Sequence, residues 1–224
     1  MSPVPIRIAN ARGVPGCAGM LDTNRRLLVT NHHVAFGDGA LPGDPIWAIP
    51  PSVGVDVRNV AVRLGTVRHG AIGRIGSSEV AVFVDCALIE LAPPANLPAW
   101  LAEALAQRWP QLGGRPALYD SVRKTGPASG TTEGRILVLD HYDHPADGDA
   151  RRIASGQLLI GSSDPARVFA APGDSGAFVT DADGRAVGLL WGVTGSGDGI
   201  ASPIAAVLEA LCLDAHFLGK EELV

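Results

Sequence analysis

The sequence has little of several features that mark other classes of protein. Aromatic residues make up 5% of its 224 positions, and two lysines accompany sixteen arginines. The net charge is −5 and the basic residues form no cluster, which argues against nucleic-acid binding, because neutralising a row of phosphates requires a basic patch. No apolar run reaches the ~18 residues of a membrane-spanning helix. We therefore expect neither nucleic acid nor a membrane among the partners.

Cysteine is also scarce. Cys17, Cys86 and Cys212 are far apart and odd in number, and no CxxC pair occurs, a pattern more typical of reduced cytosolic thiols than of a disulfide framework. We interpret each as a packed, inert thiol. The segment from Met1 to Arg7 has neither a basic region leading into an apolar run nor a small-residue cleavage site. Both observations predict a cytoplasmic protein.

Glycine and proline are abundant, by contrast. The chain has 28 glycines and 17 prolines without a fixed period, together with 46% hydrophobic residues, which favours a folded core of short strands joined by tight turns. Apolar or β-branched runs bounded by turn residues predict strands at residues 26–30, 60–64, 80–84, 135–139 and 176–179. They fall into two successive β units, about 1–95 and 111–200, which suggest paired barrels within one domain spanning 1–224.

Two helices are predicted beside the strands. One lies within about 96–110, where Pro98 suits a first turn and apolar residues recur at helical spacing. It would link the two β units. The other, at about 202–214, has Ser202 as a candidate N-cap and Pro203 at the first helical position. This second helix would dock the end of the chain.

Two histidines and one aspartate are candidate functional residues because of their positions next to or within apolar runs. His32 and His33 are adjacent and follow a predicted strand, although a single histidine in such a place is more often structural. Asp85 interrupts the apolar run Val84–Leu91, so its carboxylate should be partly buried and needs a partner. An aspartate that caps a turn at a strand end is the alternative interpretation.

A serine lies in a loop suited to acyl transfer. Gly173 and Gly176 flank Asp174 and Ser175 just before a predicted strand. The glycines let the backbone turn sharply, present the hydroxyl outward and aim successive N–H groups into one small space. The loop thus combines a candidate nucleophile with an anion site.

These segments carry a family resemblance. In chain order, the segments Thr30–Val34, Asp85–Ile89 and Gly173–Gly176 resemble the His, Asp and Ser motifs of chymotrypsin-fold (trypsin-like) serine proteases, with His33, Asp85 and Ser175 separated by 52 and 90 residues. Lys124–Gly126 and Gly130–Gly134 resemble a strand pair of the second barrel in bacterial members, and Val187–Gly192 resembles the substrate-binding strand. The resemblance covers about residues 16–211. It implies an all-β fold of two six-stranded antiparallel barrels with a linking helix and a C-terminal helix, in a bacterial intracellular-type member.

The resemblance also assigns catalytic roles. His33, the second of the pair, would take the Ser175 proton and return it to the leaving amine, while His32 supports it. Asp85 would accept the other ring N–H of His33 and stabilise the imidazolium. The backbone N–H groups of Gly173 and Ser175 would form the oxyanion hole.

Substrate-binding residues follow from the same resemblance. The segment Leu190, Trp191 and Gly192 is similar to the strand that pairs with an extended peptide substrate. Phe169 occupies the position at the base of the primary specificity pocket, where an acid would have indicated cleavage after arginine or lysine. The negative charge of Asp198 keeps cleavage after arginine or lysine open as an alternative. An uncharged residue before the scissile bond (the P1 residue) is favoured.

The sequence departs from the family pattern at several points. Leu190 stands where many members have a serine that helps hold the catalytic aspartate, so Asp85 should rely on the backbone or on His32. In secreted zymogens, the counterpart of Asp174 pairs with a new N-terminal amine after cleavage. No activation-type motif precedes the His segment here. The expectation is activity without removal of a propeptide.

A cluster of histidine and aspartate at residues 140–149 invites a metal interpretation. It lacks both the EF-hand order and a CxxC pair, so a solvated hairpin loop is favoured over a Zn²⁺ or Ca²⁺ site. We expect no metal and no cofactor.

The leading function is a serine endopeptidase that performs limited proteolysis of intracellular proteins through an acyl-enzyme intermediate. A catalytically inactive peptide-binding module and an esterase-type acyl hydrolase are the alternatives. The expected partner is a polypeptide substrate, and a regulatory protein partner is left open.

Overall fold

The computed structural model describes residues 5–22, 26–51, 61–76, 81–93, 97–107, 110–143 and 154–213. Within these ranges, the strands close into two barrels, and each barrel contains six antiparallel strands. The all-β class and the predicted pair of six-stranded barrels are therefore confirmed.

The first barrel closes in the order β1-β2-β3-β6-β5-β4. Its strands are β1 (Ile6–Asn10), β2 (Pro15–Asp22), β3 (Leu27–Thr30), β4 (Pro45–Ala48), β5 (Val62–Ile75) and β6 (Val82–Leu91). The second barrel closes in the order β10-β11-β12-β9-β8-β7. Its strands are β7 (Ser121–Gly126), β8 (Gly130–Asp143), β9 (Ala154–Ser162), β10 (Phe178–Thr180), β11 (Ala186–Val193) and β12 (Gly199–Pro203).

Strand β6 explains how an apolar run comes to contain an aspartate. Its residues Ala87 and Ile89 pack inside the first barrel, whereas Val84 and Cys86 pack in a third cluster between the barrels. Because successive side chains point to opposite faces, a strand buried on both faces reads as continuously apolar. Asp85 lies on the same alternation as Ala87, near the end of β6 where the first barrel meets the second.

Three α-helices and one short 3-10 helix (Gly37–Gly39) complete the described chain. The α-helices are α1 (His32–Ala35), α2 (Ala99–Ala106) and α3 (Ile204–Ala210). Helix α2 lies inside the predicted linker segment and buries Leu101 against the first core. Helix α3 begins later than predicted, because Ser202 belongs to β12 and is not an N-cap. The buried Ser202 hydroxyl has two acceptors within hydrogen-bond distance, the Phe83 carbonyl at 3.3 Å and Gln157 Oε1 at 3.1 Å. None of the helices described is long and apolar enough to cross a membrane.

The three cysteines are free, but they do not share one environment. Cys17 and Cys86 are buried, as predicted, and burial raises the pKa of both thiols, that of Cys86 to about 12. Neither forms a reactive thiolate near neutral pH. Cys212 is exposed just beyond α3, with a φ of 53°, so the prediction of a packed thiol is wrong there.

Candidate active site

The structure joins His33 to Asp85. Strand β3 ends at Thr30, and the single turn of α1 that follows places the His33 ring against β6. Nδ1 of His33 lies 2.6 Å from Asp85 Oδ2, and the backbone N–H of His33 donates to Asp85 Oδ1 at 3.1 Å. A carboxylate only accepts hydrogen bonds, so Nδ1 carries the proton and Nε2 is left as the free acceptor.

The surroundings of this pair suit a general base. The His33 side chain is 40% exposed and that of Asp85 is 4% exposed, so the ring is accessible while the carboxylate is sealed. Burial lowers the pKa of His33, but the hydrogen bond and charge of Asp85 outweigh it and raise the pKa above its ordinary value. Asn31 was not predicted to contribute. Its side-chain Nδ2 donates to the Asp85 carbonyl at 2.7 Å and ties the turn to β6.

His32 lies beside the pair without joining it. Its ring stacks on Phe36, with the centroids 4.5 Å apart. The pKa of His32 is lowered, mainly by burial, which favours the neutral form of this ring. Asp85 was expected to rely on the backbone or on His32 in place of a family serine. Its second hydrogen bond comes from the His33 backbone N–H, and no hydrogen bond from His32 to Asp85 occurs in the described ranges.

Two successive turns shape the loop that carries Ser175. The Asp174 N–H donates to the Ala171 carbonyl at 3.0 Å, with Pro172 and Gly173 at the centre of the turn. The φ of Gly173 is 102°, which after a proline fits a type II turn. Gly176 has a φ of 93°, and a Cβ there would stand 1.9 Å from the Cys17 carbonyl oxygen. Only glycine fits so close an approach.

The loop leaves two backbone donors free. The amides of Gly173 and Ser175 donate to no acceptor in the parts of the chain that the structure describes. Ser175 is fixed from the other side, because its carbonyl accepts the Cys17 N–H at 2.8 Å. That bond ties the loop of the second barrel to β2 of the first. Two free N–H groups on a fixed backbone are what a developing oxyanion requires.

His33 and Ser175 line one cavity of about 280 Å³, together with Pro172, Gly173 and Trp191. The Ser175 hydroxyl donates to the Trp191 carbonyl at 3.5 Å, and among the described residues it makes no hydrogen bond to His33. The structure thus places the three predicted residues at one site but joins only the imidazole and the carboxylate. Bonds of this kind commonly tighten only when substrate is bound.

An unpredicted ion pair involves the residue directly before Ser175. Lys124 Nζ lies 2.7 Å from Asp174 Oδ2, and both side chains are fully buried. Asp174 also accepts hydrogen bonds from the backbone N–H of Ala128 at 2.8 Å and of Ala171 at 3.1 Å, and from the hydroxyl of Ser129 at 2.6 Å. Burial opposes the charged form, but these partners outweigh it and lower the pKa of Asp174. The carboxylate one residue before Ser175 is therefore held by a cation from within the chain.

The sequence contains a signal for this pair. Along β7, Val122, Lys124 and Gly126 are buried, whereas Ser121 is exposed and Arg123 half-buried. Alternation therefore puts a lysine on the inward face of a predicted strand, where an unpaired ammonium would be costly. Asp174, in a glycine-rich loop without another assigned partner, is the matching anion.

Removal of the ammonium should disturb the loop. Lys124→Met leaves the Asp174 carboxylate buried without its cation, so we expect the free energy of unfolding to fall by about 3–5 kcal/mol. Displacement of Gly173 would weaken an oxyanion donor and lower kcat by roughly 10²-fold. Urea unfolding and steady-state kinetics measure the two effects.

The double variant Lys124→Met/Asp174→Asn is the matched control for this prediction. An asparagine keeps an oxygen for the Ala128 N–H and carries no charge, so the double variant should unfold at a higher urea concentration than Lys124→Met. Equal unfolding midpoints for Lys124→Met and the wild type would contradict the stabilising role of the pair.

The predicted substrate-binding residues separate into two groups. Leu190, Trp191 and Gly192 line the cavity. Phe169 is fully buried in the second core and is not among the residues that line the cavity. The Asp198 carboxylate accepts the Ser196 hydroxyl at 2.7 Å and stays within its own loop. Neither of these two side chains is among the described lining residues, and a substrate contact by them stays a prediction.

Trp191 connects the cavity to the strand of Asp85. Its indole N–H donates to Gln157 Oε1 at 2.7 Å, and Gln157 Nε2 donates to the Phe83 carbonyl at 2.8 Å. Phe83 precedes Asp85 by two residues, and its ring centroid lies 5.4 Å from that of Trp191. The buried amide of Gln157 was not predicted. A glutamine within the apolar β9 could have indicated a buried polar group that needs partners, as the lysine of β7 does.

Among the described residues, no group of three or more potential metal ligands lies together. Residues 144–149 of the candidate cluster lie outside the described ranges. A larger hollow of about 550 Å³ lies on the first barrel. Arg26 and Glu90 contribute to it, and its described lining contains no histidine, serine or cysteine.

The architecture is similar to that of known proteases. The crystal structure of Cellulomonas bogoriensis chymotrypsin matches with a TM-score of 0.59 and 18% sequence identity, over 94% of this chain and 96% of that one. The inactive form of the M. tuberculosis Rv3671c protease matches with a TM-score of 0.58 and 15% identity, over 94% and 88%. Its active form gives 0.56 and 15%, over 95% and 82%. No protein-family model and no curated protein matches the sequence. The chain has the chymotrypsin fold.

Proposed function

We propose that the protein is a serine endopeptidase that uses Ser175, His33 and Asp85. The observation that carries the proposal is the hydrogen-bonded His33–Asp85 pair, which opens into the same cavity as Ser175 and the two free amides of its loop. A carboxylate-oriented imidazole beside a serine and an oxyanion site is the set of groups that acyl transfer needs.

The chemistry divides into two acyl-transfer steps. Ser175 Oγ attacks the scissile carbonyl carbon while its proton passes to His33 Nε2, and the resulting oxyanion accepts hydrogen bonds from the Gly173 and Ser175 amides. The imidazolium, stabilised by Asp85, then donates the proton to the departing amine as the C–N bond breaks. Water then attacks the acyl carbon while its proton passes to His33 Nε2. The bond to Ser175 Oγ breaks as the imidazolium returns the proton to that oxygen, and the carboxylic acid is released.

A polypeptide fits the edge of β11. This strand pairs with β10 through Phe178 and Leu189, and its following residues Trp191 and Gly192 line the cavity. An extended peptide laid along these residues would add a strand and present its scissile bond to Ser175. The Phe83–Gln157–Trp191 contacts hold this segment in position.

The proposed setting is the cytoplasm of a bacterium, with a limited set of protein substrates and a regulatory protein partner left open. Free cysteines support a reducing compartment. The Lys124–Asp174 pair supports activity without removal of a propeptide, because the loop carboxylate already has a buried cation. An intact mass measured on an active preparation tests this point, and a trimmed N-terminus would count against it.

The test compares peptide amides, matched esters and whole lysate. Wild-type protein and Ser175→Ala are incubated with each, and new protein fragments are identified by mass spectrometry. An endopeptidase produces fragments and cleaves amides with the wild-type protein alone. Turnover of esters without amides would indicate the esterase, and retention of peptides without any turnover would indicate the binding module.

A further inference from the structure

The ring of Phe169 occupies space that two glycines of the second barrel leave open. The ring of Phe169 has carbon atoms 2.7 Å from where a Cβ on Gly199 would stand and 2.7 Å from where one on Gly134 would stand. Leu190 Cδ1 lies 2.9 Å from the same point at Gly199. Glycine at both positions therefore makes room for an aromatic ring that belongs to the protein itself.

The backbone that carries the Phe169 ring is held by hydrogen bonds on both sides. The N–H groups of Phe169 and Ala170 donate to the Gly197 carbonyl at 2.9 and 3.1 Å. The Phe169 carbonyl accepts the Thr132 hydroxyl at 2.7 Å. Phe169 and Ala170 are 0% and 2% exposed. The backbone of this segment is thus fixed, and the ring that it carries is packed in the second core.

The direction of attack on the scissile bond connects the position of the Phe169 ring to the substrate. With the scissile carbon at Ser175 and its oxygen at the Gly173 amide, the adjacent side chain must enter between the loop at Ala171 and the strand at Leu190. Both residues line the cavity, and Phe169, two positions before Ala171 in the chain, shares the second core with Leu190. The cavity of about 280 Å³ also serves His33 and the peptide backbone, so little depth is left for that side chain.

We propose that Phe169 closes the primary specificity pocket and restricts the protein to substrates with a small uncharged P1 residue, namely glycine, alanine or serine. The inference rests on the proposed function and specifies its substrate class. No charged side chain lies on the described lining except His33, so a basic or acidic P1 residue finds no counter-charge there.

Peptides that differ only at P1 test the proposal. With the wild-type protein, kcat/KM for alanine, serine or glycine should exceed that for leucine, phenylalanine or lysine by about tenfold to a hundredfold, the range set by steric exclusion of a few methylenes. In Phe169→Ala, the ratio of leucine to alanine should rise by at least about tenfold. A wild-type preference for phenylalanine, arginine or lysine would overturn the proposal.

Control variants separate pocket shape from loss of core packing. Phe178→Ala removes a buried aromatic from the cluster between the barrels, so it should lower stability and leave the P1 order unchanged. Phe169→Leu is the milder opening if Phe169→Ala does not fold. An unchanged P1 order in folded Phe169 variants would contradict the inference.

Labelling of Ser175 by a small fluorophosphonate, run in parallel, separates this inference from the proposed function. Labelling together with a preference for large P1 residues would overturn the pocket inference alone. The absence of both labelling and cleavage of every peptide would overturn both proposals.

Discussion

Ser175→Ala is expected to lower kcat for a peptide amide by roughly 10⁶-fold, which is the largest effect of any single substitution in this protein. The variant keeps the Gly173 and Ser175 amides, which belong to the backbone, and it keeps the His33–Asp85 pair. It loses only the oxygen that forms the acyl bond. KM should therefore change little, because substrate contacts along β11 are untouched.

The matched control is Ser121→Ala, which makes the same chemical change at an exposed position that begins β7. Its kcat should equal that of the wild type. Steady-state kinetics over a range of enzyme concentrations give both values. If Ser175→Ala keeps more than a hundredth of the wild-type kcat, the nucleophile lies elsewhere.

Asp85→Asn is expected to lower kcat by about 10⁴-fold. An asparagine can present its NH₂ group to His33 Nδ1, which would place the imidazole proton on Nε2 and remove the base that accepts the serine proton. The Asp85 carboxylate is buried and 2.6 Å from the ring, so water cannot replace it. Asp183→Asn, at a side chain that is 72% exposed, is the neutral control.

The pH profile gives an independent reading of the same pair. Asp85 raises the pKa of His33 above its ordinary value of 6.5 against the opposing effect of burial. Only neutral His33 acts as base, so kcat/KM of the free enzyme should fall as the pH drops through this raised pKa. In Asp85→Asn the burial effect remains alone, and the residual activity should persist to lower pH. A profile whose acidic limb does not move between the two proteins would contradict the assigned role of Asp85.

Local patterns predicted five strand segments, whereas the two six-stranded barrels were expected from the family resemblance. The continuous apolar run of β6 and its single aspartate indicate both a buried strand and a site, and β6 is buried on both faces. The His33–Asp85 contact followed from the order and identity of the motifs. Local signals gave a wrong prediction at Ser202, where the following proline suggested the start of a helix. Ser202 belongs to β12 instead, because the pairing of β12 with β11 outweighed the local capping preference.

Contacts between distant strands were harder to predict. Lys124 and Asp174 are fifty positions apart, and their pairing depends on how β7 packs beneath the serine loop. The position of the Phe169 ring depends on the absence of side chains at Gly134 and Gly199, on two other strands. Sequence alternation identifies residues that need a partner, but it does not identify the partner, because that depends on the curvature of the closed barrel.

Peptide mapping of the protein after reaction with a fluorophosphonate tests the central claim most directly. A serine activated by the His33–Asp85 pair should carry one phosphonyl adduct, located by fragmentation mass spectrometry on Ser175. The adduct should be absent from a sample unfolded in urea before labelling. A phosphonyl group on another residue, or no adduct on the folded protein, would contradict the assignment of this site as a serine-protease centre.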